Sequence, residues 1–159
     1  MKKTIRFLLW GTFFVYCFAI LCILFLSSRG YWNDLTFLEY IKRFSNFVPF
    51  RTIAGYIQGI TKDTMNFDIP IKNIFGNLFL FLPMGLYLPC MFKKLRTLGK
   101  FILCIFAILP VVEVFQLLLR RGSFDIDDII MNIIGAIIGF GIWKNIIIQK
   151  LLHKLYLIK

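Results

Sequence analysis

Residues 113 to 139 read EVFQLLLRRGSFDIDDIIMNIIGAIIG. Six charges (Glu113, Arg120, Arg121, Asp125, Asp127, Asp128) and two amides (Gln116, Asn132) stand between and inside two stretches apolar enough to cross a membrane. A charged side chain in hydrocarbon is costly unless it meets a partner or lines a wet cavity. The run therefore marks a functional site built into a helical membrane protein.

The rest of the chain agrees with this reading. Of its 159 residues 59% are hydrophobic, 19 are phenylalanine, and mean hydropathy is +0.79, well above the roughly 45 to 50% apolar usage of soluble domains. A helix of about 20 residues crosses the hydrocarbon core, and four segments qualify: 7–26, 73–92, 101–119 and 129–148. The expected fold is all-α, an integral membrane bundle of four transmembrane helices forming a single domain over 1–159. No internal repeat, low-complexity tract or Pro/Gly-rich linker divides it. The first segment follows a basic MKKTIR head. Its apolar run is longer than the roughly 7 to 15 residues of a signal-peptide core and no A-x-A-like site follows, so a retained anchor is predicted.

Charge sets the orientation. The formal net charge is +11, which by itself could suggest nucleic-acid binding, but its distribution excludes that. Lys2, Lys3 and Arg6 precede the first span; Lys93, Lys94, Arg96 and Lys100 lie between the second and third; Lys144, Lys150, Lys154 and Lys159 close the chain, with no acid among them. The two other connections hold Arg29, Lys42, Arg43, Arg51, Lys62, Lys72, Arg120 and Arg121, and all eight acids lie there or in the adjoining helix. The positive-inside rule then predicts both termini in the cytoplasm, with connections 27–72 and 120–128 outside. The cationic face also attracts anionic lipid.

Cys17, Cys22, Cys90 and Cys104 all fall within apolar spans without C-x-x-C spacing, and read as packing residues. The sole histidine, His153, lies in the basic tail. A histidine-based zinc site or serine-histidine triad on the outer side is therefore excluded.

The connection from Ser27 to Lys72 is too long and too apolar for solvated coil. Leu38, Ile41 and Phe44 or Phe47 recur at helical spacing, as do Ile53, Tyr56, Ile57 and Ile60. Short helices lying in the headgroup region or packed over the outer mouth are expected.

Each of the last three spans carries one polar stripe. Asn73 and Asn77 are one turn apart; Glu113, Gln116 and Arg120 lie at i, i+3 and i+7; Asp125, Asp128, Asn132, Gly135 and Gly139 follow one face of the fourth. At about 1.5 Å per residue, Asn77 lies about 6 Å inward from Asn73, Glu113 about 10 Å from Arg120, and Asn132 about 6 Å from Asp128. The stripes thus converge in the outer third of the bilayer. Asn132, Gly76, Gly135 and Gly139 taken alone read as helix-packing residues. Glu113 and the arginine-aspartate group do not, because a buried carboxylate protonates or needs a cation nearby, which Arg51, Arg120 or Arg121 could supply. The predicted polar cup comprises Arg51, Asn73, Asn77, Glu113, Gln116, Arg120, Arg121, Asp125, Asp128 and Asn132. Its arginines suit a phosphate; its acids and amides could instead hold a divalent cation or hydrogen-bond a sugar or peptide. No spacing signals a metal or cofactor site, and none is assigned.

At these residues the chain resembles the VanZ-like family of small membrane proteins, along most of its length. The resemblance runs through N-x-x-P-F, here Asn46-Phe47-Val48-Pro49-Phe50 before Arg51-Thr52, and through Asn73, Asn77, Phe81, Pro83 and Gly85 of N-x-x-x-N-x-x-x-F-x-P-x-G. It continues in Glu113 and Gln116 of E-x-x-Q, and in Asp125, Asp128, Asn132 and Gly135 after Arg121, which is offset by one position. Pro110 stands where the family often has a small residue, and a kink in the third span is expected there. The resemblance implies a multi-pass protein of the bacterial plasma membrane and cell envelope, some of whose relatives lower susceptibility to teicoplanin or related lipoglycopeptides. It implies no settled chemistry.

Three functions follow as expectations. The leading one is binding of a membrane lipid or lipid-linked cell-wall precursor through its head group, without catalysis. The second is an enzyme acting on a lipid-linked phosphate or glycan, with Glu113 or Asp128 as base or metal ligand; no nucleophile-base pair supports it and no catalytic residue is assigned. The third is a flippase, which the lack of acids in the cytoplasmic half argues against. A second copy of the chain or an envelope protein is an open partner.

Overall fold

The computed structural model describes residues 2–26 and 35–155. The expectations for segment 27–34, with Arg29, and for Lys159 lie outside the described residues. Four helices are long and apolar enough to cross a membrane: α1 (Lys2–Leu26), α4 (Asp68–Met91), α5 (Leu98–Leu118) and α6 (Ile126–Lys144). Between the first two lie α2 (Phe37–Arg43) and α3 (Arg51–Thr61), the short helices expected in the long connection. The protein is an all-α multi-pass membrane bundle.

Packing centres on α4 and α6, which run parallel with their backbones almost touching. A Cβ on Gly135 would lie 2.0 Å from the carbonyl oxygen of Leu78, one on Gly139 1.9 Å from that of Leu82, and one on Gly85 2.2 Å from that of Ala136. Lipid is as apolar as leucine, so helix association there depends on such close van der Waals approach rather than on burial from water. Gly76, expected to join this contact, faces open space. On α5, Phe101, Ile105 and Leu109 form a fully buried stripe one turn apart, with Phe101 stacked on Phe140 at 4.9 Å. Leu103, Phe106 and Val111 on its other faces are exposed, which in hydrocarbon carries no penalty.

Helix α1 is peripheral: 11% of its apolar window is buried, against 50% for α6. Polar and aromatic contacts fasten it. The Tyr16 hydroxyl donates to the Leu80 carbonyl at 2.6 Å, the Tyr16 and Tyr87 rings stack at 5.5 Å, and the Gln116 amide donates to the Leu24 carbonyl at 3.0 Å.

The fourth span and the short helices differ in part from expectation. The fourth span was expected to reach residue 148, yet α6 stops at Lys144. Asn145 leaves helical backbone, accepts from the Ile147 N–H at 2.9 Å and starts α7 (Ile146–Lys154), with Ile146, Ile147 and Leu151 exposed. Pro110 lies inside α5. The expected faces of α2 and α3 are turned inward only in part: Ile41, Phe44, Ile53, Tyr56 and Ile60 are half-buried. Leu38 and Ile57 are exposed, and the buried residue of α2 is Tyr40.

A two-residue parallel pairing joins β1 (Ser45–Asn46) to β2 (Phe124–Asp125), with Asn46 opposite Asp125. It draws the α2–α3 segment onto the start of α6. Helix α2 begins with a reciprocal cap between Thr36 and Glu39, whose hydrogen bonds hold the Glu39 carboxyl below its usual range.

Candidate functional site

The polar residues gather where α5 ends and α4 and α6 begin. The Asn77 amide donates to Oδ1 of Asp128 at 2.6 Å, joining α4 to α6. Oε2 of Glu113 on α5 accepts from the Asp125 N–H at 3.5 Å. Asn132, one turn beyond Asp128, is 2% exposed, and its Oδ1 has no hydrogen-bond partner among the described residues. Gln116, also buried, turns its amide to α1. Asn73 is half-buried one turn before Asn77.

Asp125 and Asp127 tie this layer to the α2–α3 segment. Asp125 accepts from the Thr52 hydroxyl through Oδ2, and through Oδ1 from the Asn46 amide at 3.0 Å and the Asp127 N–H at 2.9 Å. The last contact caps α6. Asp127 is 2% exposed. It accepts from the backbone N–H groups of Phe50, Thr52 (2.9 Å) and Ile53 (3.2 Å). The first N–H groups of a helix lack internal partners and carry a partial positive charge. Asp127 therefore closes the start of α3 from a distant part of the chain. Phe50, just before that helix, is left-handed at φ 65°, which turns the chain so that these groups converge on one carboxylate.

The predicted arginines separate. Arg120 occupies a left-handed position at φ 53° beyond the end of α5, where Arg121 N–H reaches the Gln116 carbonyl at 2.8 Å and Arg120 N–H the Leu117 carbonyl at 3.1 Å, the paired bonds of a Schellman ending. Its guanidinium lies 5.5 Å from the Tyr40 ring centre and 6.0 Å from that of Phe37. Tyr40 donates its hydroxyl to the Gly122 carbonyl at 2.7 Å. Burial pushes that hydroxyl's pKa up, with the Arg120 charge opposing. Arg121 is exposed.

Arg51 lies on a cleft of about 390 Å³ lined by Lys42, Arg43, Phe44, Ser45, Asn46, Arg51, Thr52, Ser123 and Asp125. Three cations line this space, and the carboxylate they share it with is engaged on both oxygens. The buried Ser45 hydroxyl has no hydrogen-bond partner among the described residues. Such a lining offers charge and donors to an anion. Among the described residues no group of three or more His, Cys, Asp or Glu is arranged to hold a metal ion.

Sequence reasoning did not include Asp127, Asn46, Thr52, Lys42, Arg43, Ser45 or Ser123 in the cup. Asn46 and Thr52 stood in the N-x-x-P-F-R-T run, and Lys42-Arg43 just upstream of it, before Phe44-Ser45, so the signal was present. Their convergence on Asp125 depends on strand pairing that no two-residue pattern announces.

No solved structure matches the chain. Protein VanZ of Enterococcus faecium is 26% identical over 112 residues, covering 70% of this chain and 60% of that protein, so the chain spans less than two thirds of that relative's length. The VanZ/LLP1 family model matches residues 13–149. That stretch holds the polar layer, the cleft and three whole spanning helices, and the chain belongs to the VanZ/LLP1 family.

Proposed function

We propose that this protein sits in the bacterial plasma membrane with both termini in the cytoplasm and binds the phosphate-bearing head group of a membrane lipid or lipid-linked cell-wall precursor at its outer face. The observation that carries this reading is the cleft lined by the cationic side chains of Lys42, Arg43 and Arg51. Guanidinium groups match phosphate oxygens in geometry as well as charge. The buried acids have a different role: Asp125 and Asp127 are occupied in positioning the cleft wall, which favours binding over acid-base catalysis by those two groups. Occupying such a head group would alter what an externally added lipoglycopeptide meets at the membrane, in keeping with the resistance that the family resemblance implies.

Expression of the chain in a sensitive Gram-positive host, with teicoplanin and vancomycin susceptibility measured, tests the resistance. Wild type is expected to raise the teicoplanin concentration needed to stop growth, and Lys42→Gln/Arg51→Gln at equal membrane abundance to lose that effect. No change with wild type, or an equal change with the variant, contradicts the proposal.

A further inference from the structure

A second cationic cleft lies at the other end of the bundle. It has a volume of about 180 Å³ and is lined by Arg6, Leu9 and Trp10 of α1 together with Met91 at the end of α4, Lys93 in the following 3-10 turn, Lys93–Leu95, and Arg96 just after it. Residue 91 is 14 positions beyond Asn77 on α4, so this cleft is separated from the polar layer by about 21 Å along the helix. It is an independent feature, untouched by the proposed head-group site.

Its construction departs from a merely basic surface. Two elements more than eighty residues apart in sequence bring three cations to one concavity. The Arg96 Nε–H donates to the Pro89 carbonyl at 3.1 Å, which holds that side chain against the end of α4. Trp10 packs edge-on against Phe92, ring centres 5.9 Å apart, closing one side. The space equals that of about six water molecules, room for a phosphodiester rather than a whole lipid. Apolar surface continues from it along α1, where Phe7 and Phe14 are 77% and 63% exposed. Tryptophan and basic residues together mark a membrane-water boundary, and basic pockets between spanning helices suit phospholipid head groups.

We infer that this cleft, between Arg6 of α1 and Lys93 and Arg96 after α4, binds the phosphodiester of an anionic phospholipid whose acyl chains lie along α1. The cations neutralise the phosphate, Trp10 sits at the glycerol level, and the exposed α1 surface meets the chains. One lipid bound here would also bridge α1 to α4, reinforcing the least buried helix of the bundle.

Native mass spectrometry of the full chain, purified and loaded with phosphatidylglycerol, tests the inference. In a Lys42→Gln/Arg51→Gln background, which silences the outer cleft, the chain is expected to retain one phosphatidylglycerol at collision energies that strip phosphatidylcholine. Arg6→Gln/Lys93→Gln is expected to weaken retention about thirtyfold, the effect of two basic residues at an anionic head group. Lys94→Gln/Lys100→Gln, which removes the same charge outside the cleft, is expected to leave it unchanged. Equal losses in the two variants would reduce the effect to general surface attraction and overturn the site, as would undiminished retention in Arg6→Gln/Lys93→Gln. Millimolar inorganic phosphate is expected not to displace the lipid; displacement would identify a free-anion site instead. All variants are made in the Lys42→Gln/Arg51→Gln background, so that failure of this inference and failure of the outer-face proposal are read separately.

Discussion

The Asn77 amide donates to the Asp128 carboxylate across 2.6 Å between the first halves of α4 and α6, with both residues buried. A hydrogen bond to a charged acceptor contributes about 1.5 to 3 kcal/mol in water-soluble proteins. Interhelical bonds within membranes average only about 0.6 kcal/mol, because the separated helices find other partners. Asn77→Ala is expected to fall between these values, costing about 1 kcal/mol. Thermal unfolding in detergent, followed by tryptophan fluorescence, measures it.

The glycines of the α4–α6 contact are expected to be far less tolerant. Gly135→Ala and Gly139→Ala would each press a methyl group into a backbone oxygen of α4, forcing the helices apart at a cost of about 1 to 3 kcal/mol or more. Gly76→Ala and Gly141→Ala meet nothing within 4 Å. They are expected to leave stability unchanged or raise it by about 0.5 to 1 kcal/mol, since glycine in a helix interior is costly. Unfolding midpoints of the four variants in one detergent decide the matter, and equal midpoints would contradict the packing.

Asp127→Ala removes the common acceptor of three N–H groups at the start of α3. Hydrogen exchange is expected to accelerate across residues 50–61 while α4 and α6 keep their protection. Asp127→Asn, which keeps one acceptor oxygen, is expected to show a smaller effect. Uniform acceleration along the chain would show instead that Asp127 supports the whole bundle.

Arg120 sets two effects against each other. Its left-handed backbone costs about 1 to 2 kcal/mol for a residue with a side chain, while its guanidinium over Tyr40 and Phe37 returns about 0.5 to 2 kcal/mol. Arg120→Gly removes both and is expected to be near neutral; Arg120→Ala keeps the strain without the contact. The glycine variant is expected to be the more stable by about 1 kcal/mol in thermal unfolding.

These particulars show where the sequence was informative. The spans were legible because runs of about 20 apolar residues have one use, and the Asn77, Glu113 and Asp128 stripes because polar groups are rare against that background. The inward face of α2 was not legible. When both core and lipid are apolar, periodicity cannot tell Leu38, which is exposed, from Tyr40, which is buried. The work of Asp127 was hidden for another reason: its partners lie more than seventy residues earlier, brought close by a strand pairing only two residues long. Arginines 120 and 121 looked alike as partners for the acids, and only the backbone turn after α5 sends one to an aromatic pair and leaves the other exposed.

The most direct measurement is lipid retention at the Lys42, Arg43 and Arg51 cleft. Protein carrying Arg6→Gln/Lys93→Gln, so that the opposite cleft is silenced, is loaded with polyprenyl phosphate in one arm and phosphatidylglycerol in the other, and the lipid retained per chain is counted by native mass spectrometry. One phosphate-bearing lipid per chain is predicted in at least one arm, and the arm identifies its source. Adding Lys42→Gln/Arg51→Gln is predicted to weaken that retention about thirtyfold, the effect of two basic residues. Retention unaffected by those two substitutions, or absent from both arms, would contradict the account.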